Sequence, residues 1–176
     1  AHLELSRELA RRFNQFFGEV FPEPQALLTP NPKMPGTDGR KMSKSYGNSL
    51  NIADEPKELW EKLRPMVTDP ARYRRSDPGD PDKCPVWDLH RFFNQDLEER
   101  KELEQGCRNA GIGCVDCKKK LFVHVEKMMV PIQERRRAFA AREETLTDIL
   151  RHGADRARGT AAATMEEVYR AIGFYR

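Results

Sequence analysis

Amphipathic stretches of helical period alternate along this chain with polar, proline-rich stretches, and the alternation sets the expected elements. In "AHLELSRELARRFNQFF", Leu3, Leu5, Leu9, Phe13, Phe16 and Phe17 recur at close to helical spacing with charges on the remaining face, which predicts a helix. "PEPQALLTPNPKMPGTDGR" follows, where five prolines and two glycines forbid a long helix and leave room for one short strand over 26–29. In "NIADEPKELWEKLRPMV", Asp54 is placed to accept from first-turn amides and Pro56 suits an early helical position. Leu59, Trp60, Leu63 and Val67 form that helix's apolar stripe.

"TDPARYRRSDPGDPDKCP" reads as a connection, after which "VWDLHRFFNQDLEERKELEQG" resumes the helical pattern and stops at Gly106. "CRNAGIGCVDC" interrupts with two glycines and three cysteines. From Lys118 onward nearly everything is helical. Leu121, Val125, Met128 and Ile132 share a face, and Pro131 is expected to kink that helix or start its next segment. "TDIL" is expected to end a helix near His152 and Gly153, before a final amphipathic helix marked by Ala154, Ala157, Ala161, Met165, Val168 and Ile172. Trp60 and Trp87 fall where core anchors are expected, and His124, inside an apolar stretch, reads as a core or boundary residue.

With 176 residues the chain can bury a core of its own, and 34% charged residues fit a helix-rich protein in water. No apolar run approaches a membrane span and no secretory leader opens the sequence, so the expected location is the cytoplasm, with no membrane partner. The formal charge of +3 is unevenly placed: 118–176 carries 13 Lys and Arg against 8 Asp and Glu. A solvated helical surface accounts for this excess at least as well as a phosphate partner does. The arginines of "QERRRAFAAREE" are diluted by Glu134 and Glu143 in the same way.

The densest chemistry lies in "DGRKMSKSYGN", residues 38–48. Lysine ammonium groups stabilise charge where it develops, as on pyrophosphate leaving a nucleotide. Gly36, Gly39 and Gly47 let backbone amides approach phosphate oxygens, and the Ser43 and Ser45 hydroxyls can donate to them. The segment therefore reads as a polyphosphate clamp. A second candidate is the set Cys84, Cys107, Cys114 and Cys117, spaced C-x22-C-x6-C-x2-C, with Gly111 and Gly113 permitting tight turns and Pro85 following the remote cysteine. Spacing leaves a Zn2+ site, a [4Fe-4S] cluster and unconnected thiols open. Disulfides are the least expected use in a cytosolic enzyme.

"KMSKS" reproduces the second signature of class I aminoacyl-tRNA synthetases. The opening helix, "PMVTDPARYRRSDPGDPDKCPVWDLH", "PIQERRRAF" and "ILRHGADRARGTAAATMEEVYRAIGF" are similar to segments of bacterial tryptophanyl-tRNA synthetases. The resemblance covers nearly the whole chain and corresponds to the C-terminal half of such an enzyme. It implies a fold that is α/β overall, a Rossmann-type nucleotide-binding sheet with a helical anticodon-binding domain, and a mostly α stretch here. It further implies that 1–45 end the catalytic domain with the KMSKS loop. Residues 46–145 would then form the anticodon-binding domain and 146–176 C-terminal helices.

The activity implied is ATP-dependent formation of tryptophanyl-adenylate, with Mg2+, and transfer of tryptophan to tRNA(Trp), by a homodimer. Lys44 would contact the ATP phosphates as the adenylate forms. Lys41, Met42, Ser43 and Ser45 would complete the ATP-binding loop, Lys41 also acting in catalysis. A subset of the family carries this cysteine spacing with a [4Fe-4S] cluster, which implies that Cys84, Cys107, Cys114 and Cys117 are its ligands, in a structural or RNA-facing role. Near them, Arg108, Asn109, Lys118, Lys119 and Lys120 are candidates for tRNA contact. The family's upstream His-x-Gly-His signature has no counterpart among His2, His90, His124 and His152, so these residues alone are expected to be inactive. The other class of reading is a non-catalytic, metal-bound RNA-binding module derived from a synthetase.

Overall fold

A computed structural model describes residues 1–29 and 33–174. Its helices are α1 (His2–Phe17), α2 (Pro56–Leu63), α3 (Pro85–Phe93), α4 (Leu97–Arg108), α5 (Cys114–Ala140) and α6 (Glu143–Ala171). Short 3-10 turns lie at Lys44–Tyr46 and Pro81–Lys83. No strand forms among the described residues, whose one isolated bridge is antiparallel, between Pro35 and Lys41. Nor is any described helix long and apolar enough to cross a membrane. Packing divides the chain into two units, Ala1–Thr29 with Phe139–Arg176, and Pro30–Ala138.

In the first unit α1 stops at Gly18, whose φ of 93° is open to glycine but strained for other residues. Asn14 fastens the following turn: its side chain donates to the Phe21 carbonyl at 2.7 Å and accepts from the Val20 and Phe21 amides at 3.1 and 3.0 Å. The strand expected over 26–29 is coil, with Leu27 99% exposed. A strand needs a ladder partner, and among the described residues none is offered. The helix end expected at Gly153 is also absent. A glycine inside a helix costs about 1 kcal/mol relative to alanine, and the good helix formers on both sides carry α6 through it.

The second unit is built on one core. Leu59 and Leu63 of α2, Val86 and Leu89 of α3, and Leu121, Val125 and Met129 of α5 interlock there with Leu50 and Met66. Each such side chain contributes about 1.5–3 kcal/mol by leaving water. Leu59 and Leu63 follow the expected stripe, but Val67 lies beyond the end of α2 and is exposed, and Met66 takes its place. On α5 the buried face runs through Leu121, Val125, Met129 and Gln133, in steps of four, so Met128 and Ile132 fall to its edge. Pro131 sits inside α5 without ending it. It is exposed, so the carbonyl it leaves without an amide can turn to water.

Two start signals are resolved differently from expectation. The cap of α2 is Glu55, whose amide donates to Glu58 Oε2 at 3.2 Å, while Asp54 turns inward to Lys62 Nζ at 2.6 Å and the Asn51 amide at 2.8 Å. The helical stretch after Pro85 is two helices, because Asp96 accepts from the Glu98 and Glu99 amides, both at 3.0 Å, and starts α4 anew. That helix runs through Gly106 to Arg108. A Cβ at Gly106 would meet Ile112 at 3.2 Å, so this glycine serves close packing rather than a helix end. Trp87 is buried, Trp60 is half-buried edge-on to Phe122, and His124 is half-buried with Nε2 2.5 Å from Glu99 Oε2.

Candidate functional site

The signature loop is organised around Asn48, which is 3% exposed. Its Nδ2 donates to Asp38 Oδ1 at 2.7 Å and to the Lys41 carbonyl at 3.2 Å, and its Oδ1 accepts from the Ser43 amide at 2.8 Å. The Asn48 carbonyl accepts from the Thr37 amide at 2.9 Å. Gly36 lies directly on this side chain, and a Cβ there would overlap it. Two further backbone bonds, Gly36 to Arg40 at 2.7 Å and Met42 to Met34 at 2.9 Å, close the hairpin-like turn. Asn48, then Arg40, hold the Asp38 carboxyl below its usual range against the opposing effect of burial.

Within this frame Met42 packs on the core and anchors the loop from beneath. Lys44–Tyr46 forms its 3-10 turn, ended by Gly47 at φ 65°. Ser43 Oγ and Ser45 Oγ pair at 2.8 Å. Lys41 and Lys44 are exposed, and among the described residues neither ammonium forms an ion pair. An open depression of about 650 Å³ is lined by Met42, Ser43, Lys44 and residues 49–54. Of the loop's lysines and signature serines, Lys44 and Ser43 line this concavity, and Asp54 lines it too.

The four cysteines lie on elements of the same unit, and the loop's Gly39 comes close to Pro85, the neighbour of Cys84. Cys84 is the residue before α3, Cys107 lies in the last turn of α4, and Cys114 and Cys117 lie in the first turn of α5. Cys84 and Cys117 pack against the core. Burial, with a smaller contribution from the neighbouring Cys84, Cys107 and Cys114, pushes the Cys117 thiol up to about 12. Burial also raises Cys84, against the amides of Trp87, Val86 and Asp69. All four are free thiols. No three His, Cys, Asp or Glu side chains among the described residues are set to hold a single metal ion.

The sequence reading missed the groups that shape this site. Gly79 passes so close that a Cβ would lie 2.7 Å from Cys107 Sγ. Its amide donates to the Cys107 carbonyl at 2.9 Å. Arg72 crosses from the proline-rich connection: Nη2 donates to the Ile112 carbonyl at 2.8 Å and the Arg75 carbonyl at 2.9 Å, and Nη1 lies 3.8 Å from Cys107 Sγ. His90, fully buried, places Nε2 3.2 Å from the Cys117 carbonyl and 3.3 Å from its sulfur. Burial lowers its pKa to about 4. No spacing or composition signal marks Arg72 or His90 in the sequence.

Of the residues expected to meet tRNA, Lys118 is not available. It is 5% exposed and donates to the carbonyls of Arg64 and Met66 at 2.8 and 2.5 Å, closing the end of α2. Arg108 is held by Asp80, Asp82 and Glu104 at 3.5, 3.0 and 2.9 Å. Lys119 pairs with Asp116 and Lys120 with Glu99, both at 3.1 Å. Asn109 is exposed at the C-terminal end of α4.

The lysine- and serine-bearing loop and the cysteine-lined corner lie in one unit and share its core. The chain belongs to the class I tRNA synthetases of the W and Y family, whose profile matches residues 1–130. Among curated proteins it is 52% identical over 97% of its length to the tryptophan–tRNA ligase of Thermotoga maritima, and 49% identical over 97% to that of Aquifex aeolicus. It covers 52% and 43% of those two proteins, so the chain spans about half the length of the curated relatives it matches. Its fold matches 98% of this chain to 53% of the tryptophanyl-tRNA synthetase of Campylobacter jejuni, solved with ADP and tryptophan, at a TM-score of 0.76 and 31% identity.

Proposed function

We propose that this chain is the C-terminal part of a bacterial tryptophan–tRNA ligase that binds ATP, tryptophan and tRNA(Trp), works as a cytoplasmic homodimer, and uses 38–48 as its pyrophosphate clamp. In this reading 1–45 close the catalytic domain, 46–145 form the anticodon-binding domain, and 146–176 are its C-terminal helices. The observation that carries it is the loop: Lys41 and Lys44 stand exposed and without an ion pair among the described residues, and Lys44 lines the depression.

In the activation step the tryptophan carboxylate attacks the α-phosphorus of Mg2+-bound ATP. The bond to the bridging oxygen breaks and its electron pair leaves on pyrophosphate. Lys44 meets that growing charge, Lys41 supports it, and Ser43 and Ser45 donate to the phosphate oxygens, while Met42 and Asn48 hold the loop in place. The tRNA terminal hydroxyl then attacks the adenylate carbonyl and AMP departs. Lys44→Ala in the full-length protein is expected to slow adenylate formation by about 10²–10³-fold and to leave tryptophan affinity unchanged. An unchanged activation rate would remove Lys44 from this role.

The four side chains are not set around a single metal ion among the described residues, and a resident metal–thiolate centre is read from the cysteine spacing alone. Cys84, Cys107, Cys114 and Cys117 would hold a [4Fe-4S] cluster, or Zn2+ in its place, and the group would supply a cross-link between the connection at Cys84 and the loop 107–117.

A further inference from the structure

The buried face of α5 steps through Leu121, Val125 and Met129, and at the next step Gln133, 7% exposed, breaks the apolar pattern. An aliphatic side chain would fill such a position with no polar group to satisfy, so a buried amide there marks a specific partner. The partner lies outside the helix. Gln133 Nε2 donates to the Ile52 and Asp54 carbonyls, both at 2.9 Å, from 81 and 79 residues away in the sequence.

Those carbonyls belong to a tight turn over 51–54. The Asp54 amide donates to the Asn51 carbonyl at 3.0 Å, and the Asp54 carboxylate accepts from the Asn51 amide at 2.8 Å and from Asn51 Nδ2 at 3.2 Å. Ser49 Oγ donates to Asn51 Oδ1 at 3.0 Å. These bonds shape the turn but do not fasten it to anything else. Lys62 reaches the Asp54 side chain at 2.6 Å and Leu50 enters the core, while Gln133 holds the backbone of the turn itself.

The turn is also a wall of the depression: Asn51, Ile52, Ala53 and Asp54 line it together with Met42, Ser43 and Lys44. Only Ser49 and Leu50 separate the turn from Asn48, the residue that organises the signature loop. A shift of the turn therefore moves both the wall and the point from which the loop springs.

We propose that Gln133 is a positioning residue for the polyphosphate clamp: by holding the Ile52 and Asp54 carbonyls it sets the wall of the depression that Lys44 shares. The inference rests on the reading of 38–48 as that clamp and adds to it a residue outside the loop, acting through the turn.

In the full-length protein, Gln133→Met keeps the length of the side chain and its packing on the core but removes both donors. Tryptophan-dependent ATP–pyrophosphate exchange is expected to slow by on the order of tenfold, short of the roughly hundredfold that a displacement of about 1 Å costs. Tryptophan affinity is expected to be unchanged. Gln133→Lys restores a group able to span two carbonyls, as Lys118 spans those of Arg64 and Met66, and is expected to recover most of the lost rate. In a Lys44→Ala background Gln133→Met is expected to cost far less than it does alone, because the wall no longer has that ammonium to work with. A Lys44→Ala protein with the wild-type activation rate would remove the clamp reading and this inference together. A slow Lys44→Ala protein beside a Gln133→Met protein of wild-type rate would overturn the positioning role alone. So would losses that multiply in full in the double variant, which would assign Gln133 to stability rather than to the clamp.

Discussion

The signature loop and the cysteine corner rest on the same hydrophobic core and use the same parts: close-approach glycines, cations and short turns. They treat their cations in opposite ways. Lys41 and Lys44 are exposed, so water solvates them and they cost little while no ligand is bound. Arg72 and Lys118 are drawn inward, where each donates to two backbone carbonyls. The difference separates cations left free on the surface from cations committed to holding the backbone together.

The comparison breaks most visibly at the sulfurs. Cys117→Ser exchanges the innermost thiol for a hydroxyl that binds soft metal poorly, and metal content of the full-length protein is expected to fall to background with the helical signal largely kept. Iron or zinc retained at wild-type stoichiometry would show that the cysteines do not act as a set. Next comes the loop frame. Gly36→Ala drives a methyl group into Asn48 and is expected to lower the unfolding free energy by about 1–3 kcal/mol. Urea denaturation checks this, and because Asn48 sets the Lys41 carbonyl and Ser43 amide, adenylate formation should fall with it.

A smaller effect concerns the connection beneath the cysteine corner. The Ala71 and Asp80 amides, with Lys83 and Arg72 adding less, hold the Asp69 carboxyl below its unfolded value of about 3.9. A depressed acid stabilises the fold fully above that unfolded value and loses the contribution as pH falls through the folded one. Urea midpoints taken from pH 6 down to pH 3 should therefore drop more steeply for wild type than for Asp69→Asn. Equal slopes would show that Asp69 does not anchor this turn in its charged form. The smallest effect lies at Ala110, whose φ of 57° is strained for a residue with a Cβ. Ala110→Gly is expected to raise stability by about 0.5 kcal/mol, seen as a higher urea midpoint with an unchanged slope.

What the sequence disclosed depended on how local each feature is. The extent of α1 and the Leu59–Leu63 part of the α2 stripe follow from spacing within a few turns, and they were legible. The register of α5 was not: steps of three and four both keep an apolar face, and only packing against α2 and α3 selects Met129 and Gln133 over Met128 and Ile132. Gly153 marked a helix end by residue type, yet one glycine is a small cost in a long helix. Asn48 gains its meaning from Gly36 and Asp38, ten or more residues away. Lys118 was misjudged for a similar reason. A lysine beside a cysteine reads as surface charge until the carbonyls of Arg64 and Met66, more than fifty residues distant, are seen to enclose it.

The central claim is that this clamp serves tryptophan activation, and ATP–pyrophosphate exchange by the full-length protein tests it most directly, with tryptophan and tyrosine compared side by side. Exchange that depends on tryptophan and is absent with tyrosine is the predicted result. Exchange with tyrosine alone would move the chain to the other branch of its family, and exchange with neither would contradict the enzymatic reading and leave a metal-bound RNA-binding module.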